Sequence, residues 1–331
     1  MNDYLYAGAR VRAMEGALIG RARMEILLEA KTVQEIWNRL REYGVEPLTD
    51  RETGAILREE TLLSLLQNAY KTVSEMLPSE AALQLWRYPY DCNNVKAAIK
   101  CAARGISPDS MLFDFGTVET ARIKEMVQAN TFEALPAAMQ KAAQEVRELY
   151  AKTKNPQTVD LMMDCACYAD MLSSARASRV SFAVDLVQRK IDTTNLLTAV
   201  RILRFANGEI ARLLLEDALI EGGSLSTSDL REWFLQGEEA IWKGLYQTAY
   251  SGVASELART DRSLTAIECS LDNAWMRQIK TVKFIPYGAE VIIAYLLAWE
   301  YEVRNLRILL SGREVGLPTK TIRERMRDSY V

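Results

Sequence analysis

Carboxylates set in pairs, or set beside asparagines, are the residues of this chain whose spacing could carry chemistry. Asp160 with Asp164, and Glu268 with Asp272, lie four apart, so on a helix each pair shares a face. Paired acids of that kind can hold a divalent metal; more often they face solvent or a helix terminus. A second pattern occurs three times: an acid, two residues, an asparagine, then apolar residues one, four and five positions later. Asp91 and Asn94 lead Val95, Ala98 and Ile99; Asp192 and Asn195 lead Leu196, Ala199 and Val200; Glu302 and Asn305 lead Leu306, Leu309 and Leu310.

Three uses of this motif stand open. Asp91, Asp192 and Glu302 could ligate a metal or cationic cofactor, but only if a threefold arrangement gathered them from their separate segments. Acid and amide three apart share a helix face, so they could instead form a buried polar network at a helix junction, because buried polar groups need partners. Contact with a partner is the third use. In the first copy Pro89 and Tyr90 precede Asp91, so Asp91 also reads as a helix N-cap with Asn94 reaching back. Glu302 suits that role poorly, because it lies inside an unbroken helical pattern.

The chain has no histidine at all. Histidine is the commonest general base and metal ligand near neutral pH, so Ser-His-Asp and Cys-His nucleophiles, His-containing zinc sites and Glu-x-x-His di-iron bundles are excluded. GxGxxG, GxxxxGK[ST] and DDxxD patterns are also missing. The five cysteines, Cys92, Cys101, Cys165, Cys167 and Cys269, form no CxxC pair and sit in helical, apolar settings. They read as reduced, packed thiols of a cytosolic protein. No catalytic, cofactor-binding or metal-binding residue is expected, and no cofactor.

The elements that would position the acids read as helices. Gly and Pro number only 16 and 8 in 331 residues, too few for the turns of a hairpin-rich β fold. Thr32 and Glu35 make a capping box, Ile36, Leu40 and Tyr43 follow at helical spacing, and Gly44 closes the segment. Asn155-Pro156 and Ser107-Pro108 are further helix starts. Leu62, Leu63, Leu65, Leu66 and Ala69 form a broad apolar face, and 289–310 reads as one long helix. The best candidate strand, 282–287, is weak. Gly222-Gly223 reads as a cap in the turn before a helix.

Apolar residues make 49% and charged residues 26%, a globular balance, and the net charge of −3 gives no electrostatic case for nucleic acid. No signal peptide is expected, since Asp3, Arg10 and Arg12 interrupt any apolar run. The longest strongly apolar stretch, 291–299, is far short of the ~20 residues a spanning helix needs, so any relation to a membrane is expected to pass through a partner. Basic residues near the ends (Arg10, Arg12, Arg21, Arg23, Arg313, Lys320, Arg323, Arg325, Arg327) alternate with acids, which reads as a solvated face, with a partner surface as the alternative. Any exposed member of the six tryptophans and fourteen tyrosines is a candidate anchor.

The motif asparagines lie 101 and 110 residues apart, close to a third of the chain. Val159-Asp160 to Asp164 echoes Ile267-Glu268 to Asp272 upstream of the later copies. Downstream, Gly116-Thr117-Val118, Gly223-Ser224-Leu225 and Gly316-Leu317-Pro318 each lead into another helix. Three features in one order make an internal repeat.

The run from Trp299 through Glu302, Asn305 and Gly312, with Gly316-Leu317-Pro318 and Ile322-Arg323, resembles the end of the C subunit of V/A-type rotary ATPases, called d in the vacuolar enzymes. Tyr88-Pro89-Tyr90-Asp91 to Lys96 resembles that family's first repeat, Ile191 to Leu196 with Leu219 to Leu225 its second, and Tyr6 to Ala13 its opening helix. The resemblance implies an all-α fold of three similar helical subdomains in a funnel-like pseudo-threefold arrangement, here 1–128, 129–235 and 236–331. It implies a non-catalytic central-rotor subunit on the cytoplasmic face of the membrane. That subunit would link the central shaft to the membrane proteolipid ring, so that ATP turnover is coupled to H⁺ or Na⁺ transport. A generic helical protein-binding adaptor outside any rotary machine is the competing reading. An all-helical enzyme using carboxylates or lysine is a third.

Overall fold

In the computed structural model, residues 4–77, 81–260 and 262–331 are described; Asp3 and the first residues of the expected opening repeat lie outside them. Helices take 72% of the chain. Among the described residues there is no strand, and the one β-type pairing is an isolated antiparallel bridge between Thr49 and Ile56. The fold class is all-α. The chain divides into two compact units, Met1–Ser79 with Tyr250–Val331, and Glu80–Ala249.

The first unit opens with α1 (Leu5–Met14), α2 (Gly20–Leu28), α3 (Val33–Glu42) and α4 (Arg58–Ser74). Local chemistry sets their ends. The Thr32 hydroxyl accepts from the Glu35 amide at 3.1 Å, satisfying one orphan donor of α3, and the Glu35 carboxylate reaches back to the Lys31 amide, just before the cap, at 2.9 Å. Gly44, at φ +84°, takes the left-handed position that ends it. Ile36, Trp37 and Leu40 form its buried face, while Tyr43 stays half-exposed beneath the Arg23 guanidinium.

The second unit holds α5 (Ala81–Gln84), α6 (Tyr88–Ala102), α7 (Thr120–Ala129), α8 (Ala137–Thr153), α9 (Pro156–Ala177), α10 (Ser181–Phe205), α11 (Gly208–Ala218), α12 (Thr227–Gln236) and α13 (Glu238–Leu245). Its organiser is α9, against which α6, α8 and α10 all pack. Asn155 caps α9 by accepting from the Gln157 amide, with Pro156 in the first turn. The other expected Pro-led start fails. Ser107-Pro108 opens only a three-residue 3-10 turn, Asp109–Met111, because the chain turns extended at Leu112 and Asn94 holds Phe113 by its backbone.

The chain then completes the first unit with α14 (Ser251–Leu257), α15 (Leu264–Lys280), α16 (Ala289–Glu314) and α17 (Thr319–Arg325). The 26-residue α16 is its centre, packed by α1, α3, α4, α15 and α17. The apolar run 291–299 is buried on all sides of the helix, as expected of a helix apolar all round. Tyr70 on α4 donates to the Glu300 carboxylate at 3.0 Å across the α4–α16 contact. The expected strand at 282–287 is a 3-10 turn, Thr281–Phe284, and a loop. The Arg12 guanidinium takes the carbonyls of Val282 and Ile285, both at 2.6 Å, in place of a partner strand.

Candidate functional site

Each copy of the acid-x-x-asparagine motif lies on a helix and grips irregular backbone. In α6, the Asn94 side chain donates to the Phe113 carbonyl at 2.8 Å and accepts from the Phe113 amide at 2.9 Å. The Asp91 carboxylate accepts from the Thr117 amide (2.9 Å), the Thr117 hydroxyl (2.6 Å) and the Val118 amide (3.0 Å). In α10, Asn195 makes the same two-way bond to Ile220, at 2.8 and 2.9 Å. There the Asp192 carboxylate accepts from the Leu225 amide at 3.0 Å and from the Ser224 hydroxyl.

In α16, Asn305 clasps Arg327 at 2.9 Å in both directions. All six side chains are buried. A side-chain amide matches one peptide group with one donor and one acceptor, which explains the asparagine. A carboxylate accepts on both oxygens, which explains an acid facing successive N–H groups.

The third acid departs from the other two. Glu302 accepts from the amides of Ile19 (2.7 Å) and Gly20 (2.8 Å), at the entry to α2 and 283 and 282 residues away in sequence. Gly316, at φ +73° in the turn before α17, makes no close approach to an acid: a β-carbon there would meet open space, while one on Gly20 would meet Val331 rather than Glu302. The longer glutamate spans from mid-helix to the entry of α2.

Gly116 and Gly223 are required by close approach. A β-carbon on Gly116 would lie 2.0 Å from the Asp91 carboxylate, and one on Gly223 would lie 2.1 Å from that of Asp192. The Gly222-Gly223 pair is thus more than a turn: Gly222 adopts φ +96° against Leu172, and Gly223 makes room for the acid. Asp91 is no N-cap, since α6 begins at Tyr88 and the carboxylate turns to the 117–118 loop.

Burial pushes Asp91 above the ordinary carboxylate value, against the bonds from Thr117 and Val118. Burial likewise pushes Glu302 up to about 7, opposed by the Gly20 and Ile19 amides and then by Arg23. Each of the three motif acids is engaged by its own backbone donors. Among the described residues, no group of three or more His, Cys, Asp or Glu side chains is placed to hold a metal.

The paired acids are matched by cations. Asp164 pairs with Lys96 at 2.7 Å and Asp160 with Lys100 at 2.5 Å, joining α9 to α6. Asp272 receives Arg304 at 2.8 Å and Arg327 at 3.0 Å, and Glu268 receives Arg327 at 2.8 Å. Cys92 lies on the same α6–α9 contact and donates to the Met163 carbonyl. All five cysteines are free thiols.

Sequence reasoning missed Asp170, on α9, which accepts from the Ala138 and Met139 amides at 3.0 and 2.8 Å and so caps α8 from a neighbouring helix. The available signal was negative: Leu135-Pro136-Ala137 offers α8 no capping side chain of its own. The terminal basic residues are corrected in part. Arg12, Arg313 and Arg327 turn inward, onto backbone carbonyls or buried acids, while Arg10, Arg21, Lys320 and Arg325 are exposed.

Fold and clasps together define an all-α protein built of long helices whose singled-out polar residues hold its own backbone. Residues 7–325 match the family of the ATP synthase (C/AC39) subunit, and the chain belongs to that family, one of accessory rather than catalytic subunits. Curated relatives agree along nearly the whole length. The C subunit of the A-type ATP synthase of Pyrococcus abyssi is 26% identical, covering 97% of this chain and 89% of the relative. Its namesake in Methanocaldococcus jannaschii is 24% identical over 97% and 85% of the two chains. That of Thermococcus kodakarensis is 24% identical over 97% and 89%. Among the described residues, no helix is long and apolar enough to cross a membrane.

Proposed function

We propose that this chain is the non-catalytic coupling subunit of the central rotor of a V/A-type ATP synthase. It would seat the foot of the central shaft and rest on the membrane proteolipid ring, at the cytoplasmic face. Rotation would then link ATP turnover in the peripheral head to H⁺ or Na⁺ passage at the ring. The observation that carries the reading is the family match across 7–325.

The clasps fit that work. A part that transmits torque needs helix junctions that hold their angle, and each clasp fixes a loop to a long helix by two-way amide bonds in a dry setting, where hydrogen bonds are strong. The three motifs would mark three similar subdomains, 1–128, 129–235 and 236–331, in a pseudo-threefold, funnel-like body. The proposal is tested by purifying the protein from native membranes without crosslinking. It should leave with the peripheral ATPase sector or stay on the proteolipid ring. Recovery as a lone soluble protein would overturn the reading.

A further inference from the structure

In the first unit, the loop 281–287 is held at its base: Val282 is fully buried, and the Arg12 guanidinium fixes the carbonyls of Val282 and Ile285. What the loop presents outward is Lys283, Phe284, Pro286 and Tyr287, with Phe284 91% exposed. The first turns of α1 lie beside it, since Gly8 approaches the Tyr287 backbone to the point that a β-carbon would sit 3.0 Å from it. That helix adds Leu5 and Tyr6, both more than half exposed.

Charged side chains of both signs border this surface, with Glu290 set against Gly288 and Glu15 accepting from the buried Tyr330 hydroxyl. Lys283 lies over the Tyr330 ring at 5.1 Å, and Arg10 donates to the Tyr6 hydroxyl at 3.4 Å. Lys280 is close enough to Lys283, Arg21 and Arg277 to feel all three, with Asp328 the acid set against them. Arg277 has a loose 3.8 Å pairing with Glu256.

We infer that the 281–287 loop and the start of α1 form a bilayer-contact surface, on which Lys280, Lys283 and Arg21 bind anionic phospholipid headgroups while Phe284 enters the interface. Two features favour a bilayer over an acidic protein groove. Protein interfaces are depleted in lysine, whereas membrane-surface patches combine lysine with aromatics that sit at headgroup depth. The apolar part is also a projecting knob with tyrosines on its flanks, which suits a soft interface. One apolar insertion plus a basic patch supplies the two signals that stable peripheral binding needs. Because the whole chain carries a net charge of −3, attraction to an anionic surface has to be local. This adds a direct lipid contact to the partner-mediated one expected from sequence, and it stands independently of the coupling role.

The test is cosedimentation of the purified chain with vesicles of equimolar phosphatidylglycerol and phosphatidylcholine, against vesicles of phosphatidylcholine alone. The chain should bind the anionic vesicles, ignore the neutral ones and be released by high salt. The double variant Lys280→Glu/Lys283→Glu should weaken binding by about tenfold or more, since each basic residue near an anionic surface counts separately. Phe284→Ala should weaken it severalfold. The charge-matched control Lys141→Glu/Lys152→Glu, on exposed sites of α8, should leave it unchanged. Equal binding to both vesicles, no binding to either, or indifference to the double variant in a chain that keeps its helical circular dichroism would overturn the inference. If a variant fails to fold, the wild type's lipid preference and salt release still decide.

Discussion

The clasps of the second unit and the clasp of the first both pair a carboxylate with an asparagine, but they close different distances. Asp91 and Asp192 hold loops 26 to 33 residues downstream, so each closes a local excursion of the chain. Glu302 holds Ile19 and Gly20, and so ties α16 to the entry of α2, far away in sequence. Local closures need little loop entropy, whereas the long one rests on the whole unit being assembled. The Glu302 clasp is also the one whose acid is pushed to about 7 by burial. Burial therefore makes the Glu302 joint of the first unit responsive to pH near neutrality.

The largest effect should come from closing the space that the local clasps need. Gly116→Ala or Gly223→Ala puts a methyl about 2 Å from a buried carboxylate, so the clasp must open and leave donors unpaired. Each should cost about 3 kcal/mol or more in denaturant unfolding, while Gly16→Ala, with open space around it, should cost nothing. Equal effects would remove the close-approach argument.

Glu302→Gln should come next, at about 2 kcal/mol, because the amide's own N–H₂ then faces a backbone donor. Its diagnostic is pH. A carboxyl whose folded value is about 7, against an ordinary 4.5, binds its proton more tightly folded than unfolded. Its favourable contribution is full below the ordinary value and is lost as pH rises through about 7, a change on the order of 3 kcal/mol. The stability advantage of wild type over Glu302→Gln should shrink across that window, and a flat difference would contradict the assignment.

The same joint predicts a local signature. Limited proteolysis of Glu302→Gln should cut within 15–31, where Asp91→Asn should leave that segment as protected as in the wild type. The smallest effect belongs to the partly exposed pair Lys100–Asp160: Lys100→Ala should change stability by under about 1 kcal/mol.

Much of this was legible in the sequence because it is local. The Thr32 box, the Asn155-Pro156 start and the long helix at 289 depend on neighbours within a turn or two. The motif itself was readable because a side-chain amide and an acid three apart must share a face. The partner of Glu302 was hidden by separation, since no pattern near residue 302 points to residue 19. Arg12 and Arg327 misled for a related reason: an arginine beside acids reads as solvated, and only assembly reveals carbonyls or a buried Asp272 waiting for it. Ser107-Pro108 failed because a distant asparagine outcompeted a local start signal. The motif's helical positions were visible, while the partner of Glu302 had to come from the fold.

The coupling role is tested most directly by removing this subunit from the assembled membrane complex and restoring it. Two quantities are read, ATP hydrolysis by the head and ion transport driven by that hydrolysis. Without the subunit, hydrolysis should continue and transport should disappear, and adding the purified chain back should restore transport. Transport that persists at full rate in its absence would contradict the account.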